Sequence, residues 1–417
     1  MQPDFLSPKW RQDPYPLYAW LRENEPAHWN DTWRGWLLTR HGDVFGALRD
    51  PRLSLGGGIS ALFDRMPAER LRRYALLKRH ISLWMGSLDT ENHLRVRRAF
   101  QEGFRAPYLD DLRSQIALAT NVLIAGLSDK REFDILSAFA YPLSAITMGQ
   151  FFGAPIEDWR RFRGWANVLN KFLSCGVFTD EVLEKTQDIV IEMTDYFKGF
   201  LAKIAAGRGA TGLLNRARCE ALTTDEIIAT CVVLLFGGYE TTATLIGNCV
   251  YALKLWTDVW PRIGDDPDAL NAAVDETLRF DAPIQMVRRC AVADLEYGGK
   301  FIKAGDVVWL MLGSANRDPA AFEDPDTFSL NRERNRHVAF GFGSHLCVGA
   351  ALSRIEATTA IGALSQAMPQ LSLTSQVVQW HQSPVSRSLA SLSATTVGAP
   401  LARPPERGAT HVISGQE

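Results

Sequence analysis

The sequence predicts a mainly α-helical single domain carrying small β-sheets. Helix-spaced runs fill the first half, one unbroken apolar stretch occupies the middle, and from Arg288 onward β-prone segments punctuated by Gly and Pro take over. The helical runs are Pro14 to Glu25, Tyr108 to Leu127, the stretch around Ala138 to Phe152, and Thr179 to Ala206. Among them Gly35 to Thr39 reads as a short strand. It feeds a helix from His41, with Asp43 in the first turn, where a carboxylate meets the positive end of the helix dipole. Ile227 to Trp256 is apolar for about 30 residues, long enough to cross a bilayer. Gly237-Gly238 and the ionisable Glu240 at its centre argue instead for a helix buried through the middle of a large protein. Downstream, Leu295 to Ile302 and Asp306 to Leu312 read as strands, with Lys303-Ala304-Gly305-Asp306 as their turn. Gly56 to Gly58 and Gly207 to Thr211 read as mobile loops. Residues 399–417, rich in Pro, Gly and Arg, read as a flexible tail behind a domain of residues 1–398.

Composition narrows the class. A chain of 417 residues, 46% hydrophobic and 22% charged, can bury a large core and is not disordered. A net charge of -2 lacks the basic excess of a nucleic-acid protein. The cysteines, 6 in all (Cys175, Cys219, Cys231, Cys249, Cys290, Cys347), form no CxxC pair or zinc spacing and are too sparse for a disulfide scaffold, which fits a reducing compartment. The N-terminus has neither the basic start nor the apolar run of a signal peptide or membrane anchor. A soluble, cytoplasmic protein without a membrane or nucleic-acid partner is expected.

Chemistry concentrates in Phe340-Gly-Phe-Gly343-Ser-His345-Leu-Cys347-Val-Gly349, where one cysteine stands among glycines just ahead of a helical run from Ala350. This is what a thiolate ligand to a haem iron needs. Unpaired amides and the dipole at a helix N-terminus are expected to lower the thiol pKa, and coordination then fixes the anion. Gly343 and Gly349 would remove side chains where the backbone must lie against the porphyrin, and His345 could reach its edge. The loop resembles that of the cytochrome P450 superfamily, Phe-x-x-Gly-x-(Arg/His)-x-Cys-x-Gly, and meets every fixed position.

Within the apolar helix, Phe236-Gly237-Gly238-Tyr239-Glu240-Thr241-Thr242 sets an acid beside an alcohol next to two glycines. Gly-Gly costs roughly 1 to 2 kcal/mol of helix propensity and a buried acid costs more, so a purely structural helix would gain by replacing them. Taken alone, the segment could equally be a packing site for a crossing helix with Glu240 salt-bridged. The resemblance implies otherwise: (Ala/Gly)-Gly-x-(Asp/Glu)-Thr lies over the distal haem face, Thr241 would hydrogen-bond the iron-bound peroxo group, and Glu240 would help deliver protons through water.

The same resemblance assigns the remaining motifs, in order along nearly the whole chain. His93-Leu-Arg95-Val-Arg97 matches His-x-x-x-Arg, and with Arg289 and His345 it gives candidate partners for the haem propionates. Glu276-Thr-Leu-Arg279 matches the structural ExxR pair, completed by Arg332, and Asn316-Arg317-Asp318-Pro319 follows. Phe340, Gly343 and Gly349 frame the cofactor, haem b, with Cys347 as the metal ligand. The distal pocket would be lined by Val233, Phe236, Gly237, Gln285 and Met286. The segments Leu53 to Gly86, Phe162 to Val177 and Arg387 to Leu389 would lie around it. Because these residues must converge on one cofactor, a single domain is preferred to the two or three that length suggests.

The implied function is a haem-thiolate monooxygenase. It would activate dioxygen with externally supplied electrons and hydroxylate or epoxidise a small or medium organic molecule in secondary metabolism. Desaturation, aryl coupling or ring formation on the same scaffold is the alternative, and a non-catalytic haem sensor is disfavoured by the acid-alcohol pair. No fused reductase is recognisable, so a separate ferredoxin with its reductase, or a flavodoxin-type donor, is expected to serve a monomer. Arg95, Arg98, Arg334 and Arg336 are candidates for a basic docking patch.

Overall fold

The computed structural model describes residues 7–55, 63, 66–174, 179–206, 213–214 and 222–396. The two glycine-bearing loops, the tail from residue 399, and Cys175 and Cys219 lie outside them. Helices are α1 (Pro8–Gln12), α2 (Tyr15–Asn24), α3 (His41–Ala47), α4 (Ala68–Arg73), α5 (Ala75–Ser82), α6 (Thr90–Gln101) and α7 (Ala106–Ala125). They continue as α8 (Tyr141–Phe152), α9 (Trp159–Ser174), α10 (Asp180–Ala205), α11 (Thr224–Trp256), α12 (Pro267–Phe280), α13 (Leu312–Ala315) and α14 (Ala350–Ala367). A π-helical turn, Leu136–Ala140, runs directly into α8.

Strands β1 (Ala27–Asn30), β2 (Gly35–Leu38), β3 (Leu53–Ser54), β5 (Val287–Ala291) and β8 (Val307–Leu310) form a five-stranded sheet in the order β1-β2-β8-β5-β3. A second sheet joins β4 (Glu132–Asp134), β10 (Ser393–Thr395) and β9 (Ser372–Leu373). The predicted strand Leu295 to Ile302 is instead a hairpin of β6 (Leu295–Tyr297) and β7 (Lys300–Ile302), because Gly298 and Gly299 both take positive φ and turn the chain. β8 then pairs not with its sequence neighbour but in parallel with β2, and antiparallel with β5.

The long apolar segment is one helix, buried over most of its length, so its hydrophobicity is satisfied by protein. Its start is fixed by a capping box in which Thr223 and Glu226 satisfy each other's backbone amides. Arg95 reaches across from α6 to pair with Glu226. That arginine is therefore tied to the helix cap, which corrects its placement in a basic docking patch.

Glu276, Arg279 and Arg332 converge as expected from ExxR. Arg279 donates to both carboxylate oxygens of Glu276 at 2.7 and 2.8 Å, and Arg332 Nε donates to Oε1 at 2.9 Å. The following segment works as joinery: Arg317 donates to the Phe280 carbonyl and stacks on Tyr15. Asp318 accepts from the His41 amide at 2.7 Å and so caps α3 from a distance.

Candidate functional site

The cysteine loop is folded by its own backbone. Cys347 N–H donates to the Phe340 carbonyl at 2.9 Å, Gly341 N–H to Val338 at 2.8 Å, and Leu346 N–H to Gly343 at 3.1 Å. Gly343 has φ of 75°, and a Cβ there would lie 3.0 Å from the Leu48 carbonyl oxygen. The turn and the neighbouring loop each demand glycine here. At Gly349 a Cβ would meet Phe104 and Cys347 Sγ at ordinary contact distances of 3.8 and 4.0 Å, so packing within the protein does not explain this one. Beneath the loop, the Arg354 guanidinium sits 4.6 Å from the centre of the Phe340 ring. It is oriented by a 2.8 Å bond to Asp275, which His337 also approaches.

The thiol departs from expectation. Cys347 is reachable by solvent, yet protein walls surround that space, and desolvation of the charged form is the largest influence on it. The Gly349 amide, Arg97 and Arg354 favour the thiolate, but burial wins and pushes the thiol above its ordinary value. The helix N-terminus alone does not prepare the anion.

Around the loop the expected charged partners meet. His93, on α6 one turn before Arg97, is buried, and its ring lies 3.9 Å from that of His345. Burial lowers the His93 pKa, with Arg97 adding to the effect. His345 is pushed down to about 4, by burial first, then by His93 and Arg289. Arg289 is buried on β5 and senses Asp89, whose carboxylate also accepts from the Ser54 hydroxyl and the Leu55 amide. Two guanidiniums and two imidazoles thus gather beside a thiol, with Asp89 near them. Such a surplus of donors suits a ligand bearing carboxylates, and the set fits the two propionates and axial position of a haem.

Midway along α11, four accessible positions share one face. Val233, Phe236 and Thr241 are half-buried and Gly237 is exposed, while most of the helix is buried. The Thr241 hydroxyl donates to the Gly237 carbonyl, and a Cβ on Gly237 would meet nothing within 4 Å. Gly238 does a different job: a Cβ there would fall 2.2 Å from Met148 Sδ, so this glycine lets α11 close on α8. The helix is continuous through both. Glu240 turns away from the accessible face. Its Oε1 accepts from the Tyr141 hydroxyl at 3.1 Å, Asn170 donates to it as well, and burial raises its pKa.

Two residues predicted to line the pocket are buried in packing contacts. Gln285 is buried with its amide donating to the Ala282 carbonyl and its side chain pressed on Gly313. Met286 packs with Tyr15, Tyr18, Leu21 and Met311 beneath the N-terminal segment. Arg387, placed near the pocket by sequence, is held by Asp281 and Trp380. Sequence reasoning does not single out Tyr141, Asn170, Asp89 or Arg354. For the first a signal was present: Tyr141, Ser144 and Thr147 put hydroxyls three residues apart in an otherwise apolar helix.

Comparison with known proteins resolves the family. A cytochrome P450 family model matches residues 268–367. Cytochrome P450 107B1 of Saccharopolyspora erythraea is 35% identical, covering 94% of this chain and 97% of that one. The chain belongs to the cytochrome P450 family. The polyketide biosynthesis cytochrome P450 PksS of Bacillus subtilis is 28% identical over 92% of this chain and 96% of its own. The structure of P450BioI with an acyl carrier protein ligated by hexadec-9Z-enoic acid superposes with a TM-score of 0.85. It is 28% identical and covers 93% of this chain and 99% of that one. The fold is the mainly helical cytochrome P450 domain with small sheets, and the protein is a P450 monooxygenase that oxidises a small organic molecule with electrons from external redox partners.

Proposed function

We propose that Cys347 would supply the thiolate that holds the iron of haem b, that His93, Arg97, Arg289 and His345 would hold its propionates, and that α11 between Val233 and Thr241 forms the oxygen-binding and substrate face. The observation that carries this reading is the convergence of those donors on the Cys347 loop, from α6, β5 and the loop itself. When bound, the haem supplies reductive activation of dioxygen, which the thiolate ligand favours. The chain's own part is positioning and proton supply. Thr241 keeps its proton on the Gly237 carbonyl and leaves its lone pairs free to accept from a water or ligand at the accessible face. Glu240, its pKa raised by burial, places a titratable carboxyl one residue away. Val233 and Phe236 offer apolar surface for the substrate. One relative named for polyketide biosynthesis and another solved with a fatty-acyl-loaded carrier protein support an extended, largely apolar substrate of that class. A ferredoxin or flavodoxin-type donor and a soluble, cytoplasmic monomer complete the proposal.

The test is the absorption spectrum of purified protein reduced with dithionite under carbon monoxide. A strongly red-shifted Soret band is expected. An unshifted band, or no haem, would remove Cys347 as the ligand.

A further inference from the structure

The carboxyl on which proton supply depends points the wrong way for its task. Glu240 is buried against α8 and α9, whereas its neighbour Thr241 opens on the accessible face. What holds it there is neutral. Tyr141 of α8 donates to Oε1 at 3.1 Å and Asn170 of α9 donates as well, and no described Lys, Arg or His reaches salt-bridge distance. Of the other groups nearby, Tyr239 stacks beside Tyr141 with ring centres 5.4 Å apart. Its hydroxyl is turned to Asn167 and Arg163, and Asp134 acts on Tyr141 rather than on Glu240.

The choice of a phenol has a consequence. A cation in that position would fix Glu240 as a carboxylate and lock it in place, since a buried ion pair opens at high cost. A tyrosine donates one hydrogen bond, leaves the acid able to take up a proton, and lets it go at modest cost. A carboxyl that must alternate between a buried store and an exposed reaction face needs a partner of this kind.

We propose that Tyr141 is the positioning residue for the proton-donating carboxyl: its hydroxyl holds Glu240 in the interface of α8 and α9, and delivery to the Thr241 face requires that bond to open. This rests on the reading of Glu240 as proton supplier, and the test separates the two. Haem-loaded protein is driven by a surrogate ferredoxin and its reductase without added substrate. The electrons are then partitioned between hydrogen peroxide, which takes two electrons and two protons per dioxygen, and water, which takes four of each. Tyr141→Phe removes only the hydroxyl and Glu240→Gln removes the titrating acid.

Glu240→Gln is expected to slow water formation about tenfold or more relative to peroxide release, whereas Tyr141→Phe, which removes the bond that delivery must open, is expected to raise water formation relative to peroxide by about threefold or more, the scale of one lost hydrogen bond. The double variant is expected to match Glu240→Gln alone. Tyr239→Phe, a more deeply buried phenol whose hydroxyl bonds Asn167 instead of Glu240, should change the ratio less than about twofold. A second readout does not need turnover. The carboxyl infrared band lost in Glu240→Gln should shift in Tyr141→Phe and titrate at higher pH, because the lost donor favoured the carboxylate. If Glu240→Gln leaves the electron partition unchanged, the proton-supply reading falls and this inference with it. If Glu240→Gln alters the partition while Tyr141→Phe leaves both partition and band unchanged, or adds fully to Glu240→Gln, only the role of Tyr141 is overturned.

Discussion

Glu276→Gln is the substitution whose cost the structure specifies most fully. The Glu276 carboxylate is 1% exposed and takes hydrogen bonds from Arg279 Nε and Nη2, Arg332 Nε, the Ser329 amide and Asn335 Nδ2. Glutamine keeps the shape but removes the charge, and it turns an NH2 toward groups that are all donors. Arg279, 0% exposed, and Arg332, at 11%, are then left as neighbouring cations with no carboxylate between them. Both keep bonds to backbone carbonyls: Arg279 to Asn316, Pro325 and Thr327, and Arg332 to Glu323, Asp324 and Thr327. The loss is therefore that of a buried ion pair broken on one side, about 3–5 kcal/mol. Arg332→Gln should cost less, about 1–3 kcal/mol, because Glu276 stays neutralised by Arg279 and the site is nearer solvent. Denaturant unfolding, followed by tryptophan fluorescence and haem absorbance together, measures both and tests whether they share one transition. A cost below about 1 kcal/mol for Glu276→Gln, or a larger cost for Arg332→Gln, would refute the view that Glu276 is the charge that neutralises both arginines.

Three further outcomes are expected. Thr241→Ala should retain haem and dioxygen binding but divert electrons to peroxide, and unchanged coupling of electron use to product would count against its role. Gly237→Ala should leave stability unchanged or raise it by up to about 1 kcal/mol, since the Cβ enters open space on a helix. Gly238→Ala should cost about 1–3 kcal/mol through Met148, and thermal unfolding of the pair in parallel checks the contrast. Glu356 is wholly buried, accepts from the Ser144 hydroxyl at 2.6 Å, and is pushed up to about 7 by burial. A pKa raised on folding means that the protonated form is favoured in the native state. Its contribution is complete below the unfolded value near 4.5 and is lost as pH rises through about 7. Glu356→Gln should therefore flatten the fall in stability across that window and be more stable than wild type by about 3 kcal/mol above it. An unchanged pH slope in denaturation would sink this assignment.

Much of the site could be read from the chain because its chemistry is local. The glycines, histidine and cysteine of residues 340–349 fold one loop through their own backbone bonds, and His93 with Arg97, or Glu276 with Arg279, share a face by helical spacing alone. The same holds for the buried central helix, whose length, capping box and polar interruption all lie in consecutive residues.

What the sequence left open needed partners far away in the chain. Tyr141 meets Glu240 across 99 positions and Arg387 meets Asp281 across 106, and neither pair has a spacing that announces it. Gln285 and Met286 sit at a strand entry where either face could be inward, and the N-terminal cluster around Tyr15 and Tyr18 claims the Met286 side. The Cys347 thiol shows the limit most plainly. The dipole and amides of its own loop favour the anion, but desolvation by the surrounding protein opposes them and wins. Chain order and local spacing reveal which groups are available and which neighbours share a turn. The direction in which Glu240 faces and the desolvation of Cys347 emerge only on folding, because orientation and burial are set by every segment packed around a residue.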